Sequence, residues 1–273
     1  MNEPIVSVVL PAFNEETYIA DAIRSILDQT FRDFEFIIVD DGSTDGTGDI
    51  IEQYAASDAR IVLVRNQENL GLPRSMNTAL ELARGRYICR MDADDVSYPD
   101  RLEKQLAFME SRPDVVIIGG TMEVCSLDMK VICKRIYNLS DAEIRRKLFR
   151  YSPFCHPGTF FHKEEARKVG GYNEKIFPAE DYDFYFRLGR VGDFANLPDT
   201  IIKMRVNPSG ISYSNIRKSE VLTLYVRLKA VFEYGYSMTM ADKIYFVAQL
   251  ASMLVMPAKA KYWLFTWCRS VIR

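Results

Sequence analysis

Short apolar segments alternate with amphipathic ones over the first 118 residues, and this alternation constrains the fold more than any other feature. The apolar segments are rich in β-branched residues and predict strands at residues 5–10, 34–39, 61–64, 87–91 and 115–118. The segments between them have helical spacing and predict helices at residues 17–29, 47–56, 72–83 and from Pro99 through Met109. Continuous apolar strands joined by helices predict an α/β fold with a mostly parallel sheet covered on both faces.

The composition narrows the class of protein. With 273 residues, 48% of them hydrophobic and 26% charged, the chain can bury a sizeable core, which excludes a mainly disordered protein. A net charge of −2 gives no general attraction to nucleic acid, so no nucleic-acid partner is predicted. The first residues lack the basic and apolar stretches of a signal peptide, and no apolar run reaches the roughly 18–20 residues of a membrane span. We therefore expect a cytoplasmic protein.

Polar, acid-rich segments follow three of the predicted strands. They are residues 11–15, Asp40 with Asp41, and residues 92–95. The carboxyl ends of parallel strands meet at one edge of a sheet, where open α/β sheets bind their ligands. Clustered carboxylates repel one another unless a cation lies among them, and Mg²⁺ or Mn²⁺ prefers a few carboxylate oxygens together with phosphates. The sequence thus predicts a metal–diphosphate site at this edge, whereas solvated loop carboxylates would show no preference for it.

Five motifs, taken in order, resemble those of the family 2 glycosyltransferases, which are inverting enzymes of the GT-A fold. They read VVLPAFNEE at 8–16, VDDGSTD at 39–45, NLG at 69–71 followed by Arg74, DADD at 92–95 and ED at 180–181. The resemblance covers roughly residues 5–212. It implies a Rossmann-like, mostly parallel central sheet flanked by helices, with a nucleotide-sugar half near 1–112 and an acceptor half near 113–212. Residues 213–273 would then form a helical C-terminal extension.

The resemblance also implies roles for individual residues. Those expected to bind the nucleotide-sugar are Pro11, Ala12, Phe13, Asn14, Glu15, Asp41, Asn69, Arg74, Asp92, Ala93 and Arg205. Those expected to hold Mn²⁺ or Mg²⁺ are Asp94, Asp92 and Asp95. Asp181 would be the catalytic base, with Glu180 assisting it. A carboxylate base suits a reaction in which an acceptor hydroxyl displaces a nucleotide diphosphate in one step.

The implied reaction moves a sugar from a nucleotide-diphosphate donor, most simply a UDP-sugar, to a glycan or a lipid-linked sugar in bacterial polysaccharide synthesis. A non-catalytic nucleotide-sugar-binding module is an alternative, but it predicts loss of Asp94 and Asp181, which are both present. A sugar-nucleotide pyrophosphorylase would need a glycine-rich, basic loop after the first strand, where this chain has Asn-Glu-Glu at 14–16. Specificity for sugar and acceptor is expected from residues 124–161, which carry no readable code.

Two positions leave the ligands of the metal open. Many family members carry a histidine where this chain has Asn207, so the sequence does not decide whether the metal has a third protein ligand. His156 precedes a segment that the family uses on the acceptor side. It could be a ligand or a structural hydrogen-bonding group, and a lone histidine is more often the latter.

The C-terminal part has a different charge balance from the rest. From Arg217 onwards the chain has nine Lys or Arg against three Asp or Glu, and no acidic residue follows Asp242. The stretch 244–258 is apolar apart from Gln249, Ser252 and Pro257, and residues 262–267 are mostly aromatic. As a helix that stretch would reach about 22 Å, too short for a hydrocarbon core of about 30 Å. We expect residues 243–273 to contact the cytoplasmic face of the inner membrane, or else to pack in the core or in a homo-oligomer.

Overall fold

The computed structural model describes residues 3–207 and 215–256. The strands in these ranges are β1 (Val6–Ala12), β2 (Phe34–Asp40), β3 (Ile61–Arg65), β4 (Tyr87–Arg90), β5 (Val96–Ser97), β6 (Val115–Cys125), β7 (Val131–Arg135), β8 (Phe160–His162) and β9 (Asp193–Arg205). The α-helices are α1 (Ile19–Leu27), α2 (Thr47–Ser57), α3 (Leu72–Leu82), α4 (Arg101–Ser111), α5 (Asp141–Lys147), α6 (Lys163–Lys168), α7 (Glu180–Leu188), α8 (Ile216–Phe232) and α9 (Met240–Val255).

One mixed sheet runs through the described chain in the order β3-β2-β1-β4-β8-β6-β9-β5, with β7 paired to β6. Strands β1 to β4 are parallel to one another, and β6 is parallel to β9. The short strand β8 lies antiparallel between β4 and β6 and joins these two parallel groups. The prediction of a mostly parallel sheet is confirmed. The five strands predicted from apolar runs are the four parallel strands β1 to β4 and the first part of β6.

Strands β1 and β2 extend beyond their predicted ends. The sequence suggests that β1 stops before Pro11, but Pro11 pairs with Val39 and Ala12 pairs with Asp40. The pair is closed by a hydrogen bond from the backbone N–H of Asp41 to the carbonyl of Ala12 (2.8 Å). Because the strands continue this far, the first two candidate binding loops begin side by side.

Strand β6 runs to Cys125, although the prediction ends it at residue 118. Gly119 and Gly120, which follow the predicted end, are part of the strand. They are glycines because β9 approaches the strand too closely for a side chain. A Cβ at Gly119 would lie 2.4 Å from Asn196 Oδ1, and one at Gly120 would lie 2.9 Å from the Ile201 side chain. The region from which specificity is expected, 124–161, includes regular structure, namely β7 and α5.

Apolar residues are buried on both faces of the sheet. One core includes residues of α1, α2 and α4, such as Ile23, Ile51 and Leu102. The other includes residues of α3 and α7, and α8 adds Val226 and Ala230 to it. Helix α8 lies in the part predicted to be a C-terminal extension, yet it packs into this second core. The division of the chain near residue 212 stays a prediction.

Helices α8 and α9 form an antiparallel hairpin. Arg217 Nη1 donates to the carbonyl of Met253 (2.8 Å), and Arg227 Nη1 donates to Gln249 Oε1 (2.6 Å). An ion pair of 2.7 Å between Arg150 and Asp242 fixes the start of α9 to the rest of the protein. Within residues 3–207 and 215–256, no helix is both long enough and apolar enough to cross a bilayer. Residues 257–273, with the aromatic segment 262–267, lie outside the described residues.

Candidate active site

The loop after β1 is hydrogen-bonded to the loop after β2. Thr44 N–H donates to Asn14 Oδ1 (2.8 Å), and Glu15 N–H donates to Thr47 Oγ1 (2.7 Å). Asn14 has a φ of 55°, in the left-handed region that asparagine tolerates better than most residues. Phe13 is left 41% exposed at the tip of this loop. The hydrogen bonds hold the two loops together, and a planar base could stack on the exposed ring of Phe13.

Asp41, predicted to bind the nucleotide-sugar, already accepts hydrogen bonds from within the protein. One of its carboxylate oxygens accepts from Asn66 Nδ2 (2.6 Å) and Leu70 N (3.0 Å), and the other accepts from Gly71 N (2.8 Å). The loop between β3 and α3 lies so close to Gly42 that a Cβ on Gly42 would be 2.5 Å from the backbone of Glu68. Asp41 therefore holds the loop that precedes α3. Direct contact between its carboxylate and a nucleoside stays a prediction.

The other residues predicted to bind the nucleotide lie around the same edge. Pro11 and Ala12 are buried at the end of β1, and Ala93 is buried in the turn after β4. Asn69 and Arg74 are exposed on the loop before α3 and in its first turn. An exposed guanidinium beside this loop suits a phosphate group.

The turn after β4 brings three carboxylates together. One oxygen each from Asp92, Asp94 and Asp95 lies within 4.8 Å of the others. Burial, followed by the charge of Asp92, raises the pKa of Asp94 to about 6. Burial and the charges of Asp94 and Asp92 also hold the pKa of Asp95 well above its ordinary value. Asp95 Oδ2 is buried without a hydrogen-bond partner. Three close carboxylates with one unpartnered oxygen fit a divalent cation, which would provide the missing contact and relieve their repulsion.

Glu15 is a fourth acidic group at this edge. Burial is the main cause that raises its pKa, to about 8, and the charges of Asp94, Asp92 and Asp45 add to the effect. The sequence predicted Glu15 as part of the nucleotide site, and the structure places it within electrostatic reach of the predicted metal ligands.

Arg205, also predicted to bind the nucleotide-sugar, is hydrogen-bonded to the acidic turn. Its backbone N–H donates to Asp95 Oδ1 (2.9 Å), and its Nε donates to the carbonyl of Asp94 (2.9 Å). The guanidinium also donates to the carbonyl of Leu127 and lies 4.2 Å from the ring centre of Tyr18. The side chain is 4% exposed, and its Nη2 lies 3.6 Å from Asp21 Oδ2 and is buried without a hydrogen-bond partner. Contact with a diphosphate stays a prediction.

Arg90, the last residue of β4, is a component that the sequence analysis missed. Its Nη2 lies 2.5 Å from Asp92 Oδ1, and its side chain is 2% exposed. Nε and Nη1 are buried without hydrogen-bond partners. The only sequence signal was an arginine at the end of an otherwise apolar strand.

The predicted base and its neighbour begin α7. Burial is the main cause that raises the pKa of Glu180, to about 8, and the charge of Asp181 is second. Glu180 is 4% exposed, and its Oε2 has no hydrogen-bond partner. Asp181 is less buried than Glu180 and accepts a hydrogen bond from Tyr182 N (2.7 Å). Burial raises its pKa, while this bond and the charge of Arg90 lower it.

The acidic turn after β4 and the acidic pair Glu180 and Asp181 interact electrostatically. The charge of Asp92 raises the pKa of both Glu180 and Asp181, and the charge of Arg90 lowers both. Arg90 likewise lowers the pKa of Asp94 and of Asp95. A single buried guanidinium therefore acts on both groups, which the sequence predicted separately from motifs about 90 residues apart.

His156 lies with two tyrosines rather than with the acidic turn. Its Nε2 is 3.2 Å from Tyr172 Oη, and its ring centre is 6.3 Å from that of Tyr185. Burial, helped by the charge of Arg90, holds its pKa well below the ordinary value, so the imidazole is neutral. It is not among the residues whose ligand atoms group within 4.8 Å in the described chain. This geometry favours the hydrogen-bonding interpretation. Asn207 borders 208–214, which the structure does not describe, and its predicted role is untested.

The comparisons with known proteins decide the family. The family model described as glycosyl transferase family 2 matches residues 7–170, which is well over half of the chain. The chain belongs to glycosyltransferase family 2. This glycosyltransferase is 32% identical to the uncharacterized glycosyltransferase MJ1057 of Methanocaldococcus jannaschii, over 82% of its own length and 79% of the relative. It is 29% identical to the amylovoran biosynthesis glycosyltransferase AmsE of Erwinia amylovora, over 95% of its own length and 97% of the relative.

Solved structures share the fold of this glycosyltransferase at low sequence identity. S. aureus TarS 1-349 in complex with UDP superposes with a TM-score of 0.62 and 19% identity, over 91% of this chain and 79% of that TarS fragment. A mannosyltransferase from Pyrobaculum calidifontis, in complex with GDP-Man and Mn²⁺, superposes with a TM-score of 0.65 and 19% identity. That match covers 98% of this chain and 80% of the mannosyltransferase. The predicted GT-A fold is confirmed.

Proposed function

We propose that this glycosyltransferase is metal-dependent and inverting, and that it moves a sugar from a UDP-sugar to an acceptor hydroxyl. The observation that carries the proposal is the group formed by Asp92, Asp94 and Asp95, with a buried carboxylate oxygen of Asp95 that has no partner. It follows β4 at the sheet edge where the loops after β1 and β2 also lie. The edge thus combines a place for a planar base, at Phe13, with a place for a cation.

The three aspartates would hold Mn²⁺ or Mg²⁺, which would offset the negative charge of the diphosphate leaving group. The mannosyltransferase complex with GDP-Man and Mn²⁺ supports this assignment, because it shares the fold. Arg205 fixes the backbone of the turn, so the carboxylates are positioned before any ligand binds. Arg74 would approach the phosphates from the loop before α3.

Asp181 is the proposed base that accepts the proton of the acceptor hydroxyl. With a pKa of about 8, Glu180 is mostly protonated at neutral pH. If Glu180 holds the proton, Asp181, which is less buried, is the ionised member of the interacting pair. A raised pKa makes Asp181 a stronger base than an ordinary aspartate. One displacement at the anomeric carbon then inverts its configuration, and the protein needs no nucleophile of its own.

The donor and acceptor are proposed by similarity. UDP as the nucleotide is supported by the TarS complex, whereas GDP-Man in the other neighbour is the competing choice. A bacterial polysaccharide acceptor is supported by AmsE, which is named for amylovoran biosynthesis and aligns over 97% of its length. We propose a lipid-linked acceptor, used at the cytoplasmic face of the inner membrane.

A donor screen tests the proposed function. Purified protein is incubated with UDP- and GDP-sugars, with Mn²⁺ or with a chelator, and the released nucleotide is measured. We expect release from one or a few UDP-sugars, dependent on metal. A GDP-sugar as the preferred donor would overturn the UDP assignment, and unchanged release in chelator would overturn metal dependence. Binding of nucleotide-sugars without release, even after acceptor glycans are added, would favour the non-catalytic module.

A further inference from the structure

The α8–α9 hairpin presents apolar side chains to solvent. On α8 they form one stripe with spacings of four, three and four residues: Val221, Tyr225, Leu228 and Phe232. On α9 they are Met240, Ile244, Val247, Leu250, Leu254 and Val255. We call these ten residues the hairpin surface. Phe232 and Leu254 are more than four-fifths exposed, at 82% and 84%.

An ordinary surface helix turns its apolar side inward. Helix α9 instead exposes most of its large aliphatic residues, while its inward side mixes polar and apolar residues. Its inward side carries Asp242, which pairs with Arg150, and Gln249, which accepts from Arg227. Met253 is the one large apolar residue of α9 that is buried, at 8% exposure. Monomeric soluble proteins rarely leave so many apolar side chains on one element, so the hairpin surface needs a partner.

The charges on and after α9 favour an anionic bilayer as the partner of the hairpin surface. Lys243 and Glu233 are exposed beside the hairpin surface, and no acidic residue follows Asp242 in the sequence. The sequence directly after α9 contains four more basic residues together with Tyr262, Trp263, Phe265 and Trp267, a composition typical of membrane interfaces. A second copy would bring the same positive charges together. An anionic bilayer would instead attract them and accept the apolar side chains.

We propose that the hairpin surface docks this glycosyltransferase onto a bilayer that contains anionic lipids. The proposal deepens the proposed function, because a lipid-linked acceptor lies in such a bilayer. The inner side of α8 packs against α7, whose first residues are Glu180 and Asp181. Arg227 Nε donates to Tyr182 Oη (3.3 Å), one residue beyond the proposed base. Docking through the hairpin surface therefore brings the membrane next to the helix that carries Asp181.

Vesicle co-sedimentation tests the docking. Full-length protein is mixed with vesicles of phosphatidylcholine alone or of phosphatidylcholine with phosphatidylglycerol. The test variant is Phe232→Glu with Leu254→Glu. The matched control is Ile132→Glu with Ile136→Glu, which changes two apolar residues near β7 that are also well exposed, at 64% and 73%. Circular dichroism melting checks that each variant is folded.

We expect the parent to bind the anionic vesicles at low salt and to bind more weakly as salt rises. The Phe232→Glu/Leu254→Glu variant should bind at least about tenfold more weakly, because each change removes one large apolar side chain from the interface. The control should bind like the parent. Absence of parental binding, or equal binding by the test variant, would overturn the proposal.

Two further measurements separate the alternatives. Sedimentation equilibrium without lipid should give a monomer, whereas a dimer that the Phe232→Glu/Leu254→Glu variant dissociates would assign the hairpin surface to a second copy and overturn the proposal. Nucleotide release in solution separates docking from catalysis. If vesicle binding depends on Phe232 and Leu254 but no donor is turned over, docking stands and the proposed function fails. If donors are turned over without vesicle binding, the reverse holds.

Discussion

The acidic turn after β4 and the acidic start of α7 are both built from adjacent carboxylates, but their surroundings differ. In the turn, three side chains bring one oxygen each to within 4.8 Å, and Arg205 holds the backbone that carries them. At the start of α7 there are two carboxylates, one buried and one more open, within electrostatic reach of Tyr172 and Tyr185. Close packing of three hard oxygens favours a metal ion, whereas desolvation of a pair favours binding of a proton.

Arg90 makes the comparison sharper, because it is close enough to influence both groups. It forms its ion pair with Asp92, yet its charge also lowers the pKa of Asp181 and Glu180. The two groups are therefore not independent. A change at Arg90 should alter the pKa values of the pair at the start of α7 as well as those of the acidic turn. This effect distinguishes an arginine whose charge acts on both groups from a purely structural arginine.

The largest expected effect is at the metal group. Asp94→Ala should reduce metal-dependent turnover to the level that the parent shows in chelator, because the site loses one of three oxygen ligands. The variant should also lose the part of its nucleotide affinity that depends on Mn²⁺. Steady-state turnover with and without Mn²⁺ measures both effects. Asp33→Ala, which removes an exposed carboxylate just before β2, is the matched control. Full activity in Asp94→Ala would exclude a role in metal binding.

The second effect separates the two members of the α7 pair. Asp181→Asn should lower the transfer rate by about 10²–10⁴-fold, because the amide cannot accept the hydroxyl proton, while donor affinity stays unchanged. Glu180→Gln should cost far less at neutral pH, since glutamine resembles the protonated acid that a pKa of about 8 implies. Transfer rates and donor binding are compared in both variants. A larger loss of transfer rate in Glu180→Gln than in Asp181→Asn would make Glu180 the base and Asp181 the protonated neighbour.

The third prediction concerns Arg90. Arg90→Met should shift the acidic limb of the pH–rate profile towards higher pH, on the order of one unit, because the charge that lowers the pKa of Asp181 is gone. Arg90→Lys keeps a positive charge and should keep the profile near that of the parent. A thermal melt of each variant reports whether it is folded. An unshifted profile in a folded Arg90→Met variant would restrict Arg90 to a structural role.

The smallest effect is on stability. The pKa of Glu180 is raised from 4.5 to about 8 on folding, so the folded state binds a proton more tightly than the unfolded state. Stability therefore falls as pH rises from about 4.5 to about 8, and the effect levels off above 8. For one such group the slope is at most about 1.4 kcal/mol per pH unit. Urea unfolding of metal-free protein between pH 6 and 9 should be less pH-dependent in Glu180→Gln than in the parent. Identical slopes would mean that Glu180 is not desolvated.

The sequence predicted the elements whose signals are local. Strands β1 to β4 are apolar runs that end in polar segments, so both the strands and the loops at their ends could be placed before the structure was known. Strand β6 could not be delimited, because Gly119 and Gly120 look like a break until β9 is seen to lie against them. The outward apolar side of α9 also has no local signal, since periodicity alone does not tell which side faces the core.

The same distinction applies to the site. The acidic residues of the turn and of α7 stand out as motifs, but their connection does not. Arg90 comes from β4, Tyr172 from the loop after α6, and Tyr185 from α7, and tertiary packing alone brings them to His156 and the acidic pair. A buried arginine and two buried tyrosines look like ordinary core residues in the sequence. Their role depends on which charges face them.

The central claim is that one acidic group holds a metal and the other holds a proton, and Mn²⁺ binding tests it most directly. Electron paramagnetic resonance can count free Mn²⁺ in a titration of the parent, Asp94→Asn and Asp181→Asn, each with UDP present. The account predicts that Asp94→Asn loses Mn²⁺ binding while Asp181→Asn binds like the parent. Loss of binding in Asp181→Asn, or parental binding in Asp94→Asn, would contradict it.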